Sequence, residues 1–103
     1  MKYKSSKLRK LENNRYSILT TNLEKCYVCG KQKQDIHEVY GGANRRVSMA
    51  NGLCVPLCRS CHYNATNDNQ FSLQLKQICQ MEYEKTHTRE EWFKLIGRNY
   101  LEE

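Results

Sequence analysis

The stretch GLCVPLCRSCHYNATND, residues 52–68, runs a short apolar segment into two cysteines three positions apart, with a histidine directly after the second. GLCVPL reads as a short strand and the residues after Cys58 as a short helix to about Ala65, ended by TNDN. Earlier in the chain CYVCG (26–30) repeats the cysteine spacing, and Gly30 suits the tight turn after a metal-binding knuckle. Cys26, Cys29, Cys58 and Cys61 therefore form CxxC…CxxC with 28 residues between the pairs. Two such knuckles bring four thiolates onto one tetrahedral ion, a closed shell with no position for water. The expectation is a structural Zn²⁺ whose binding energy is folding energy. An iron–sulfur cluster also uses four cysteines but suits this spacing less well. Cys54 and Cys79 remain, each among apolar neighbours, and are expected as buried free thiols.

A metal suits the rest of the chain. At 103 residues it is expected to be one domain that needs a staple. No apolar run approaches a membrane span, and MKYKSSKLRK is basic without an apolar stretch behind it, so no signal peptide is expected. The expected location is the cytoplasm, where paired cysteines more often mean metal than disulfides. The net charge of +6 is uneven: residues 1–25 carry seven basic and two acidic side chains, residues 63–103 five and seven. A basic half beside the cysteines points to a polyanion, DNA above all, and to no membrane.

Around the cysteines the pattern is α+β. SKLRKLE makes a short helix or an arm, RYSILTT (15–21) a strand, and IHEVY (36–40) a strand ended by the double glycine. With GLCVPL this gives a loop-rich hairpin between the two cysteine pairs. FSLQLKQICQMEYEKTH (71–87) is the clearest helix, with Phe71, Leu75, Ile78 and Met81 as its apolar stripe and Cys79 on the same broad face. Thr88 and Glu91 signal a capping box for a last helix carrying Trp92, Phe93 and Ile96, with Gly97 at its end. The expected organisation is a basic arm (1–14), a zinc-braced core (15–68) and a helical carboxy-terminal extension (69–103).

His62 lies about 100° around its helix from Cys61, so its ring can project toward the hairpin instead of into the thiolate shell. The hairpin offers Asp35, His37 and Glu38, and histidine with carboxylates makes an open site for a divalent cation. Asn44, Arg45 and Arg46 follow closely, and the two arginines suit phosphates.

The segments CYVCG, DIHEVYGGANRRVS and GLCVPLCRSCHYN together resemble the HNH endonucleases, in particular small phage and prophage members; IGRNYL near the carboxy terminus is similar too. The resemblance covers about Arg15 to Asp68. It implies a ββα-metal core, braced by a four-cysteine zinc, that hydrolyses DNA phosphodiesters with Mg²⁺ or Mn²⁺ and leaves 5′-phosphate and 3′-hydroxyl ends. It places His62 as a ligand of the catalytic ion. The first motif of that family reads Asp-His or His-His, whereas this chain has Asp-Ile-His-Glu. Either His37 is the general base with Asp35 or Glu38 helping the metal, or His37 is a ligand and Glu38 stands in the place of the base; the first is favoured. Leu53 stands where many members have asparagine, leaving Asn51 and Asn44 as candidates, and Thr66 replaces a second histidine.

Two other readings compete. A non-catalytic zinc module that binds DNA explains the cysteines and the charge, though not the grouping of His37, the acidic residues and His62. A protein-interaction module would use the late helices, with Tyr83, Trp92 and Tyr100 as its surface. A homodimer, or a recombination or packaging partner, is compatible with these helices, and the sequence selects neither.

Overall fold

Asp35, Ile36, His37 and Glu38 pair antiparallel with Leu57, Pro56, Val55 and Cys54, so the strands are β1 (Asp35–Glu38) and β2 (Cys54–Leu57). Pro56 gives no donor to the ladder, which is tolerated because both strands of a two-stranded sheet are edges. Its carbonyl instead accepts from Tyr27 N at 2.8 Å, tying the first cysteine pair to β2. A computed structural model provides this description, which covers residues 6–101. Residues 1–5 of the expected basic arm lie outside the described residues; Ser6–Asn13 form helix α1.

The hairpin is not a simple one. Gly42–Asn44 make a 3₁₀ turn that leads into helix α2 (Arg45–Ala50), an element the sequence reading did not anticipate. Inside α2 the buried Ser48 hydroxyl donates to Tyr40 O at 2.7 Å, closing the excursion onto the end of β1. Gly52 returns the chain with φ +70°, and a Cβ there would meet the Tyr16 ring at 2.5 Å. Only glycine fits both demands.

Helix α3 (Arg59–Asn67) is N-capped by Cys58, whose sulfur accepts from Cys61 N. Asp68 ends α3 and caps α4 (Asn69–Tyr83) by accepting from Gln70 N and Phe71 N. The TNDN stop is therefore also a start. Helix α5 (Arg89–Leu95) has the full capping box between Thr88 and Glu91, and Gly97 follows it at φ +87°. The result is a small α+β protein in which helices surround a two-stranded sheet. No helix among the described residues is long and apolar enough to cross a membrane.

Three elements depart from expectation. Residues 15–21 form no strand: Ser17 Oγ accepts from Leu19 N and Thr20 Oγ1 from Asn22 N, local turns that compete with a ladder. Ile18 N still reaches Gly52 O, and Ile18 and Leu19 pack against the core. Helix α4 spans Asn69–Tyr83 rather than 71–87, and its buried side is rotated. Leu75, Cys79 and Tyr83 are buried, whereas Ile78 and Met81 are 41% and 56% exposed. The cause is Gln80, fully buried, whose amide donates to Glu84 and Asn99 and accepts from Tyr100 N. A satisfied polar residue holds the carboxy-terminal segment against α4, and an apolar count cannot see it. On α5, Trp92 and Ile96 are buried, Trp92 beside the rings of Tyr40 and Tyr83, while Phe93 is half exposed.

Candidate functional site

The two cysteine knuckles meet because one precedes β1 and the other follows β2, and the strands run antiparallel. The ligand atoms of Cys26, Cys29, Cys58 and Cys61 lie within 4.8 Å of one another, with Cys29 Sγ and Cys58 Sγ 3.6 Å apart. A tetrahedral site with Zn–S bonds of about 2.3 Å has sulfurs about 3.8 Å apart, so the group fits such an ion closely. Each knuckle is internally braced: Cys29 N donates to Cys26 Sγ and Cys61 N to Cys58 Sγ, both at 3.5 Å. Burial alone would raise the Cys26 pKa, but the backbone N–H groups of Cys29, Cys58 and Val28 overcome it and lower the thiol to about 6. The Cys58 thiol is lowered chiefly by the Cys61 N–H. Cys61 is pushed up to about 12 by burial and by the neighbouring sulfurs. These four cysteines can hold a metal such as zinc. Filling the site expels protons, so affinity falls as the pH falls.

Cys54 and Cys79 are buried, as expected, and burial pushes their thiols up to about 11 and 12. Both are inert by that measure.

His62 leaves the sulfur group and faces β1. Its Nδ1 is 3.0 Å from Asp35 Oδ2, and its ring meets that of His37 edge-on, with centroids 5.2 Å apart. Strand alternation explains the meeting: Asp35 and His37 share one face of β1, while Ile36 and Glu38 share the other. The Asp35 carboxyl is held below its usual range, first by the hydrogen bond from His62 and then by the Arg59 charge. Desolvation lowers His37 to about 4, with the His62 and Lys76 charges adding to it. His37 is therefore neutral at pH 7.

Glu38 is placed elsewhere. Its carboxylate takes Arg15 Nη2 at 2.6 Å and Arg45 Nε at 3.4 Å, and Arg45 Nη2 also reaches Glu12 of α1 at 2.8 Å. This ionic cluster joins α1, α2 and β1 on the face turned away from His62. Asn44 is drawn inward as well, its amide donating to Ile96 O at 3.3 Å. Of the segment Asn44–Arg46, only Arg46 is exposed. Asn51 donates to Val47 O, and Thr66 Oγ1 bonds back to His62 O and Tyr63 O within α3. His87, four residues beyond α4, stacks on Tyr83 with ring centroids 4.0 Å apart.

One residue beside the histidines was not singled out from the sequence. Arg59 Nε lies 3.3 Å from the same Asp35 oxygen that His62 uses. Its spacing of three from His62 on a helix was the available signal. Among the described residues, the four cysteines are the only group of three or more His, Cys, Asp or Glu that could hold a metal ion by themselves. A cleft of about 300 Å³ opens between Tyr16, Asn51, Tyr83 and His87 and shares no residue with either group. No protein-family model, curated protein or solved structure matches the chain, so the reading of these groups rests on their own chemistry.

Proposed function

We propose that the protein is a metal-dependent DNA endonuclease of the HNH type, braced by a structural zinc at the four cysteines. The observation that carries this reading is the His37–His62–Asp35 group, set outside the sulfurs on the elements that the cysteines clamp together. Asp35 and His62 suit Mg²⁺ or Mn²⁺ as a donor set. An ion there would rely on water and substrate phosphate to complete its shell.

His37, neutral and half buried, accepts the proton of the water that attacks phosphorus. Its low basicity keeps it free of a proton at pH 7 and returns the proton easily afterwards. Asp35 bonds Nδ1 of His62, which fixes the ring and leaves Nε2 as its outward donor. An ion held there would supply charge stabilisation to the phosphate and the leaving oxygen. Glu38 serves the architecture through its arginine pairs and is not the base in this scheme.

The second reading, a zinc module that binds DNA without cutting it, is favoured by one observation: no metal-binding group beyond the cysteines is complete in itself among the described residues. A plasmid-nicking assay separates the two. Zinc-loaded protein with Mg²⁺ or Mn²⁺ is expected to nick, and His37→Ala and His62→Ala are expected to lose nicking while remaining folded. Salt-sensitive DNA binding without cleavage by any ion would establish the module instead.

A further inference from the structure

We propose that Arg59 is a phosphodiester-binding residue, holding the nucleic-acid backbone beside His37 and His62. This deepens the nuclease reading and depends on it only in taking the ligand to be a nucleic acid. Arg59 is the first residue of α3, where its backbone N–H donates to Gln34 Oε1 at 2.6 Å. Its Nε lies 3.3 Å from Asp35 Oδ2, and the same oxygen is 3.0 Å from His62 Nδ1. One carboxylate oxygen thus fixes both the arginine fork and the imidazole.

The two arginines paired with Glu38 on β1 give the contrast. Arg15 and Arg45 reach into the Glu38 cluster and are 23% and 38% exposed, whereas the Arg59 side chain is 72% exposed. Contact through Nε anchors the guanidinium and leaves its two amino groups to solvent, the geometry that receives a phosphate with two parallel hydrogen bonds. An ion pair this exposed adds little to folding, so stability does not account for the arrangement. The Glu38 and Lys76 charges reach His37 with opposite effect, and Glu38 is already paired with Arg15 and Arg45.

The test is anisotropy of a fluorescent DNA duplex with zinc-loaded protein in the absence of Mg²⁺ and Mn²⁺, over a salt series. Arg59→Gln is expected to weaken binding about 3–10-fold and to reduce the salt slope by about one. Arg59→Lys keeps the charge and is expected to retain the slope. Lys85→Gln removes a charge paired with Glu82 elsewhere on the surface and is expected to leave both quantities unchanged. In cleavage, Arg59→Gln is expected to raise KM more than it lowers kcat. An unchanged slope in Arg59→Gln, an equal loss in Lys85→Gln, or no DNA binding by the wild type would overturn the proposal. Binding that responds to Arg59→Gln without cleavage under any ion sinks the nuclease reading and leaves Arg59 standing. Cleavage with unchanged KM and slope does the reverse.

Discussion

The four cysteines flank the hairpin that carries His37, and Cys61 shares α3 with His62, yet the two groups are built in opposite ways. The sulfurs form a closed group, braced by backbone N–H groups and complete as a ligand set. The histidine pair is open, holds one carboxylate, and is bordered by exposed or half-buried cations. Closure gives stability without reactivity, and openness gives the reverse. The first group clamps the ends of β1 and β2, so the second can be preorganised without contributing much to folding.

That division predicts a hierarchy of effects. Cys58→Ser, or removal of zinc by a chelator, should unfold the protein. Structural zinc contributes on the order of 10–16 kcal/mol in small zinc peptides, against total stabilities of about 5–15 kcal/mol. Circular dichroism and an amide NMR spectrum would show the loss, and a native spectrum without metal would break the comparison.

Next in size, Glu38→Ala should destabilise by about 2–3 kcal/mol in urea unfolding, because it strands Arg15 and leaves Arg45 with Glu12 alone. It should leave zinc content intact. A loss smaller than a typical surface change would mean that the cluster does not join α1 and α2 to β1.

His37 is expected to titrate near 4 in an NMR pH series on zinc-loaded protein, well below the usual value of about 6.5. The folded protein then takes up this proton later than the unfolded chain does. Its stability contribution is full above about pH 6.5 and is lost progressively as the pH falls toward 4. The loss is at most about 3 kcal/mol. Measured as a difference from His37→Gln, it separates from acid release of zinc. Titration near 6.5 would place His37 in water and remove the preorganised base.

Much of this was legible because it was local. Cysteine spacing, the Thr88–Glu91 box and the helix beginning at Cys58 each depend on residues a few positions apart. The strand expected at 36–40 lies at Asp35–Glu38, and that shift brings Asp35 onto the face of His37. What the sequence hid was distant pairing. Arg45 looks like a phosphate ligand until Glu12, 33 positions away, is brought to it. Helix α2 is six residues long and draws its order from Ser48 on Tyr40 O and from the ions around Arg45, not from its own periodicity. In α4 the polar Gln80 turned the buried face, so Ile78 and Met81, which fit an apolar stripe, lie outside.

The central claim is that the cysteine centre and the histidine pair are separate sites. It is tested most directly by counting metals in wild type and His62→Ala. Both should carry one tight zinc, and Mn²⁺ should broaden the NMR signals of Asp35, His37 and His62 in the wild type, with the signals of Asp35 and His37 spared in His62→Ala. Loss of zinc from His62→Ala, or Mn²⁺ broadening that bypasses these residues in the wild type, would contradict the account.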